Sequence, residues 1–201
     1  MPLRLRFSGQ LDLADPSAGG SVVTRIDVEV VFEGAPVDER PPLVARGQVA
    51  LLQANLVGPD LWEALDGEDD ELKGLARAYF DDDGQLREPY DASGSDDLLH
   101  LVRLQVEDAW RGRRMEQGIV RRLADTFGAG CALVTLTPSS PVDRARWEEM
   151  GFAPSAAGAP FMQLELDGDV PQVLLDESAA TFVLLREEDD DDLDGDDDLD
   201  R

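Results

Sequence analysis

The chain has 201 residues, which is enough for one ordinary domain, and its 42% hydrophobic residues are enough to build a sizeable core. Its formal net charge is −26 at pH 7, and so acidic a protein repels the phosphates of nucleic acids and the anionic surfaces of membranes. The composition therefore excludes nucleic acids and membranes as expected partners. It favours a cationic partner, either a small-molecule amine or a basic peptide.

Cysteine usage and the N-terminus indicate the compartment. Cys131 is the only cysteine, so no intrachain disulfide can form and a reducing environment is expected. It opens the apolar run 131–134, which predicts a buried structural thiol rather than a nucleophile. Residues 1–6 lack the apolar stretch of a signal peptide, and no window reaches the roughly 18 apolar residues of a membrane span. We therefore expect a cytoplasmic protein.

The N-terminal part of the chain, residues 1–57, shows the period-two alternation of half-buried strands. Residues 3–13 and 21–32 each alternate apolar and polar side chains, and the turn-forming residues 15–20 separate them. A third strand is predicted over 43–57. These signals predict antiparallel strands joined by turns.

From Pro59 onward, apolar residues follow the helical period and then alternate between helices and strands. The strands at 98–106 and 131–137 should lie side by side and run parallel, joined through a helix at 112–127. The order indicates a mixed-sheet α/β or α+β layer fold. The fold expected overall is α/β (α+β) with a mixed, mostly antiparallel sheet flanked by helices, in a single domain of residues 1–186. The other predicted elements are one or two helices over 59–79, a polar loop over 80–97, a short helix over 141–150, a strand over 161–166 and a final strand over 172–185 that is interrupted near Asp176.

Residues 187–201 contain eleven aspartates and glutamates and one arginine. Asp190, Asp192, Asp194 and Gly195 copy the opening of a calcium-binding EF-hand loop, but Arg201 stands where that loop needs a bidentate glutamate. The segment is therefore predicted to be a disordered acidic tail, and no metal site is expected.

Residues 98–153 contain a series of short patterns in a fixed order. The strand ends in Leu104-Gln105-Val106, and the acidic pair Glu107-Asp108 and then Trp110-Arg111-Gly112 follow it. After the strand at Cys131 comes Trp147-Glu148-Glu149-Met150-Gly151-Phe152. In order and spacing these patterns resemble the core of the GNAT superfamily of acyl-CoA N-acyltransferases. The resemblance implies a GNAT-like fold in which residues 98–166 form the acyl-CoA-binding core.

The resemblance also implies a co-substrate, acetyl-CoA, and a function, transfer of its acetyl group to a primary amine such as a polyamine, an aminoglycoside-like compound or a peptide amine. By position, the strand edge at Leu104, Gln105 and Val106 would pair with the pantetheine arm. The pyrophosphate would lie at the helix N-terminus, where unpaired N–H groups and the helix dipole favour anions. The implied phosphate loop consists of Arg111, Gly112, Arg113, Arg114, Met115, Glu116 and Gln117.

Three positions depart from the family patterns R-x-x-G-x-G and Y-E-x-x-G-F. Arg114 and Glu116 stand in place of two glycines, and a carboxylate at Glu116 would repel a pyrophosphate. Trp147 stands in place of the tyrosine that often protonates the departing thiolate, and an indole N–H is no general acid near neutral pH. A second function therefore stays open: a non-catalytic GNAT-like binding module whose acidic surface docks a basic protein partner.

Two residues are candidates for the catalytic base that takes the proton of a substrate ammonium. His100 is the only histidine, and its side chain titrates in the required range. Regular alternation places it on the same face as Val102, Leu104 and Val106, which is typical of a hydrogen-bonded core or edge histidine. Glu107, just beyond the strand, is the rival base, and a solvated turn acid is its alternative interpretation.

Overall fold

The computed structural model describes residues 3–9, 22–32, 41–90, 95–155, 158–166, 172–176 and 181–185. The turn predicted over 15–20 and the tail predicted over 187–201 lie outside the described residues. Within them, the protein is an α+β structure built on a mixed, mostly antiparallel sheet, as the sequence predicts.

Seven strands form the main sheet. They are β1 (Leu3–Gly9), β2 (Val23–Phe32), β3 (Leu43–Gln53), β4 (Asp97–Val106), β5 (Cys131–Leu136), β6 (Ala153–Pro154) and β7 (Met162–Glu165). Their order across the sheet is β1-β2-β3-β4-β5-β7-β6. Neighbouring strands are antiparallel except for β4 and β5, which run parallel. Two further strands, β8 (Gln172–Asp176) and β9 (Thr181–Leu185), form a separate antiparallel pair.

Helices flank both faces of this sheet. Those of the described residues are α1 (Leu61–Ala64), α2 (Asp70–Tyr79), α3 (Met115–Phe127) and α4 (Pro141–Glu148). The side chain of Asp69 caps α2 by accepting a hydrogen bond from the N–H of Leu72 at 3.0 Å, and Ser140 caps α4 in the same way. No helix in the described ranges is both long enough and apolar enough to cross a membrane.

Two apolar clusters lie on opposite faces of the sheet. Leu98 of β4 and Leu133 of β5 pack with α1 and α2, and we call this side the α2 face. Their neighbours Leu99 and Val134 pack with α3 on the other side, the α3 face. The separation follows from the alternation of side chains along a strand.

The parallel pairing of the two central strands is confirmed. β4 lies beside β5 from the pair Asp97–Cys131 to the pair Leu101–Leu136, and α3 lies between them in the chain. Such a pair cannot be joined by a tight turn, because the second strand must start at the same end as the first.

Several predicted boundaries differ from the structure, each for a local reason. The helix predicted from residue 112 begins only at Met115, because Gly112 and Arg114 have positive φ angles that no α-helix contains. The strand predicted over 43–57 ends at Gln53, where two short 3₁₀ turns begin. The final strand predicted over 172–185 is the pair β8 and β9, which lie side by side as antiparallel strands.

A β-bulge in β4 contradicts one prediction about its faces. Opposite β3, Gln48 pairs with Arg103 and Val49 pairs with Leu101, so Val102 is an extra residue. The alternation changes phase at this point. Leu104 and Val106 therefore pack on the α3 face with Leu99, whereas Val102 stays on the α2 face with Leu98. The prediction that His100 shares a face with Leu104 and Val106 is wrong for this reason.

Candidate functional site

The end of β4 beyond the bulge is open on one side. β3 pairs with β4 along residues 97–106, whereas β5 pairs with it only over 97–101. Residues 102–106, which we call the open edge, therefore have no neighbouring strand on the β5 side within the described part of the chain. Backbone N–H and C=O groups along such an edge can pair with an extended ligand, although the carbonyl oxygen of Val106 also accepts a hydrogen bond from Arg111 Nε at 3.4 Å. The open edge includes the predicted pantetheine contacts Leu104, Gln105 and Val106.

After the open edge, the 3₁₀ turn Asp108–Trp110 and residues 111–114 lead to the N-terminus of α3. Gly112 has φ 76° and Arg114 has φ 55°, a conformation that strains an L side chain but not glycine. Arg114 is the residue before the helix, and its side chain makes no capping hydrogen bond. Among the described residues, no hydrogen bond occupies the N–H groups of Met115, Glu116 or Gln117. This helix end can therefore bind an anion.

The three arginines of the predicted phosphate loop each contact a neighbour. Arg111 forms an ion pair with Asp108 at 3.0 Å. The guanidinium carbon of Arg113 lies 5.2 Å from the centroid of the Trp110 ring. Arg114 forms a longer ion pair with Glu149 of the turn after α4, at 3.7 Å. Because these contacts are at the surface, each is weak, and an anionic ligand can compete for the guanidinium groups.

A cavity of about 250 Å³ lies between the N-terminus of α3 and α4. Arg114 and Arg146 give it two cations, and Gln117 donates a hydrogen bond from Nε2 to the carbonyl oxygen of Arg146 at 3.1 Å. Three carboxylates oppose these cations, so the cavity is not strongly basic. Its lining consists of Gly112, Arg114, Glu116, Gln117, Asp143, Arg146, Trp147 and Glu149.

The strand β9 of the β8–β9 pair contacts the loop that precedes α3. The carbonyl oxygen of Arg113 accepts hydrogen bonds from the Thr181 hydroxyl at 2.9 Å and from the Phe182 N–H at 3.0 Å. Phe182 also packs against α3 at Gly118. The backbone just before α3 is therefore fixed by a segment about 70 residues later in the chain.

His100 lies in the sheet with no exposed surface, at 0% of its accessible area. Its Nδ1 lies 3.0 Å from Thr135 Oγ1, and its Nε2 lies 3.4 Å from Glu71 Oε1. The ring also makes an edge contact with Phe161 at 5.9 Å. Both ring nitrogens therefore have partners within the protein, and the ring is not exposed to a ligand from solvent.

Glu107 lies at the other end of the open edge. It forms an ion pair with Arg46 at 3.3 Å, and its N–H donates to the carbonyl oxygen of Val44. It is seven residues from His100, which at 3.3 Å per residue is roughly 20 Å. The structure therefore does not bring the two candidate bases together.

Glu71 and Thr137, both in this region, are absent from the predicted site residues. Glu71, in the first turn of α2, accepts a hydrogen bond from Thr137 Oγ1 at 3.1 Å and lies beside His100. This hydrogen bond with His100 lowers the pKa of Glu71, so its carboxylate is ionised at neutral pH. An acid in a first helical turn is common, and nothing in the sequence relates it to Thr137, which lies 66 residues away.

No protein family model matches the chain, and no curated protein matches it. Within the described residues there is also no group of three or more histidine, cysteine, aspartate or glutamate side chains that could hold a metal ion. Function must therefore be inferred from the geometry of the open edge, the α3 N-terminus and the Glu71 region.

Proposed function

We propose that the protein is a GNAT-like N-acetyltransferase that moves the acetyl group of acetyl-CoA to a primary amine. The observation that carries this proposal is the open edge of β4, which is followed, after the 3₁₀ turn Asp108–Trp110 and residues 111–114, by a helix N-terminus with unoccupied N–H groups. Acetyl-CoA has the matching shape: an extended pantetheine arm with amide groups, followed by a pyrophosphate.

In this proposal each part of the region has a separate task. Residues 102–106 pair with the amides of the pantetheine arm. The N–H groups of Met115, Glu116 and Gln117 hold the pyrophosphate, together with the guanidinium groups of Arg114 and Arg146 at the cavity. The thioester then lies at the far end of the open edge, where β5 separates from β4 after Leu101.

The reaction is a direct transfer in which the acceptor amine must first be neutral. A substrate ammonium loses one proton to a base, and the amine nitrogen attacks the thioester carbonyl carbon. The carbon–nitrogen bond forms, the carbon–sulfur bond breaks, and the second amine proton goes to the departing thiolate through solvent. The products are the N-acetyl amine and coenzyme A, and the proposed acceptor is a polyamine, an aminoglycoside-like compound or a peptide amine.

Calorimetric titration of the full chain with acetyl-CoA tests the proposal. At 100 times its dissociation constant the ligand should add about 2.7 kcal/mol of stability, which raises the melting temperature by roughly 5–10 °C. Arg114→Ala and Arg146→Ala should each weaken binding by about tenfold or more, because each removes a charge-assisted contact to phosphate. Arg122→Ala, an exposed arginine farther along α3, is the matched control and should bind as the wild type does. Failure of the wild-type chain to bind overturns the proposal.

A second function, a non-catalytic module that docks a basic partner, is favoured by the three carboxylates of the cavity. If Arg114 and Glu116, which stand in place of two glycines, prevent cofactor binding at the cavity, the wild type should not bind acetyl-CoA. The double variant Arg114→Gly with Glu116→Gly should then bind it measurably, because it removes a like charge and lets the backbone approach the phosphates. If the protein is an active enzyme, the same double variant should instead lose affinity along with the Arg114 contact.

A further inference from the structure

We infer that Glu71 is the binding residue for the ammonium group of the acceptor, at the point where β4 and β5 separate. The inference rests on the proposed function, because it names the second substrate's subsite in the same reaction. It adds a residue from α2, a helix outside the segment that carries the GNAT resemblance.

The position of Glu71 is set by contacts to both strands. Its Oε1 accepts a hydrogen bond from Thr137 Oγ1 at 3.1 Å and lies 3.4 Å from Nε2 of His100 on β4. Thr137 directly follows Leu136, the last residue of β5, and Leu136 pairs with Leu101 just before the open edge begins. The carboxylate therefore lies on the α2 face at the end of the open edge where the proposed thioester is placed.

In the described part of the chain, the ion-pair partner of the Glu71 carboxylate within 4 Å is the ring of His100, and no arginine or lysine forms an ion pair with it. A carboxylate accepts hydrogen bonds only, so Nε2 of His100 donates to it. The Glu71 side chain is 39% exposed and thus open to a cation from solvent.

A second, independent observation is an unpartnered polar group on the same face. Gln163 of β7 lies directly opposite Thr135 of β5 in the sheet register, so both side chains point to one face. Gln163 is only 6% exposed, and its Oε1 has no hydrogen-bond partner within the described residues. A buried acceptor of this kind requires a hydrogen-bond donor on this face of the sheet.

The chemistry of the subsite defines the substrate class. Glu71 provides a negative charge and hydrogen-bond acceptor oxygens, so the ligand must carry a positive charge and N–H donors. A primary alkylammonium has both, whereas a quaternary ammonium has the charge alone. The ammonium proton passes to the Glu71 carboxylate and from there to solvent, which leaves the amine neutral for attack on the thioester.

The single histidine of the sequence provides a direct test. The full chain is labelled with ¹⁵N-histidine, and the long-range ¹H–¹⁵N spectrum of the His100 ring is followed during titration with n-butylamine. We expect a saturable shift of the ring signals. Tetramethylammonium at the same ionic strength should give none. Glu71→Gln should abolish the saturable shift, and Asp70→Asn, which removes an exposed acid one residue away on α2, should leave it unchanged.

In turnover assays, Glu71→Gln should raise the KM for n-butylamine by about tenfold or more and leave the affinity for acetyl-CoA unchanged. If Glu71→Gln does not fold, Glu71→Asp replaces it. That variant shortens the side chain by one methylene group, which moves the carboxylate away from the amine, and it should weaken the amine response by about tenfold. A wild-type chain whose ring signals do not respond to n-butylamine overturns the inference, and so does a Glu71 variant that responds as the wild type does.

Different experimental outcomes would overturn the ammonium subsite and the acetyltransferase function. An amine response that depends on Glu71, without binding of acetyl-CoA, supports the ammonium subsite and overturns the acetyltransferase. Acetyl-CoA binding and acetyl transfer that do not depend on Glu71 support the acetyltransferase and overturn the subsite.

Discussion

The ring of Phe182 on β9 lies directly against Gly118 of α3, closer than a side chain at that position would allow. The same residue's N–H donates to the carbonyl oxygen of Arg113, one residue before the left-handed Arg114. The absence of a side chain at Gly118 thus lets β9 reach the loop that precedes α3.

Gly118→Ala should destabilise the protein although alanine is the better helix former. The added methyl group gains about 0.5–1 kcal/mol of helix propensity but costs about 1–3 kcal/mol by overpacking against the ring. We expect a melting temperature lower by a few degrees and faster hydrogen exchange at the Phe182 N–H.

Gly74→Ala in α2 is the matched control, because its Cβ would lie 3.8 Å from the nearest atom of Phe161, an ordinary contact. It should stabilise the protein by about 0.5–1 kcal/mol. If the two alanine variants shift the melting temperature in the same direction, the packing of Phe182 on Gly118 is not as tight as described.

Arg114→Gly should be more stable than Arg114→Ala by about 1 kcal/mol. Both variants remove the exposed ion pair to Glu149, but only glycine adopts the positive φ of this position without strain. Chemical denaturation of the two variants measures the difference. An alanine variant as stable as the glycine variant would contradict the left-handed conformation at Arg114.

Cys131 should be unreactive in the native protein. It is buried, as the sequence predicts, and burial raises the pKa of its thiol to about 12. The thiol is therefore protonated at pH 8, and only the thiolate reacts. A disulfide reagent should label the native protein negligibly over hours and label one thiol per chain in denaturant. Rapid labelling without denaturant would mean that the strand β5 opens easily.

Glu71 should stabilise the folded protein at neutral pH and lose this contribution in acid. The pKa of Glu71 is lowered from 4.5, first by its hydrogen bond with His100, so the native state favours the ionised form. Its contribution is therefore fully present above pH 4.5 and is lost as the pH falls through the native pKa. For a side chain this exposed we expect about 1 kcal/mol, measured as the difference in unfolding free energy between the wild type and Glu71→Gln.

That difference should be present at pH 7 and should shrink as the pH is lowered below 4.5. The neighbouring acid Asp69, which is bonded to Arg25, is unchanged in both proteins and cancels in the comparison. A difference that grows as the pH falls would show that the carboxyl of Glu71 is stabilised in its protonated form instead.

The order of elements around the site could be predicted from the sequence, because it depends on local periodicity. The apolar spacing of residues 98–136 indicated a strand, a helix and a strand, which is the order of a crossover between two parallel strands. Glycine and arginine before α3 also indicated where an anion could bind, although the late start of the helix at Met115 depends on backbone angles that the pattern does not encode.

Features that depend on contacts between distant segments could not be predicted. The bulge at Val102 is set by its pairing with β3, about 50 residues earlier, and it moved Leu104 and Val106 to the other face. The contact between Glu71 and His100 joins a helix to a strand 29 residues away. Thr181 and Phe182 bond to Arg113 across 68 residues, and the sequence near them indicated only an interrupted strand.

Deletion of Val102 would leave the other side chains of β4 on their present faces. Without it, Leu101 would be followed by Arg103 in regular alternation, and Leu104 and Val106 would still face α3. A deletion at the bulge is therefore compatible with the packing of both sheet faces, whereas a deletion in the middle of the regular part of β4 would move one part of its side chains to the opposite face.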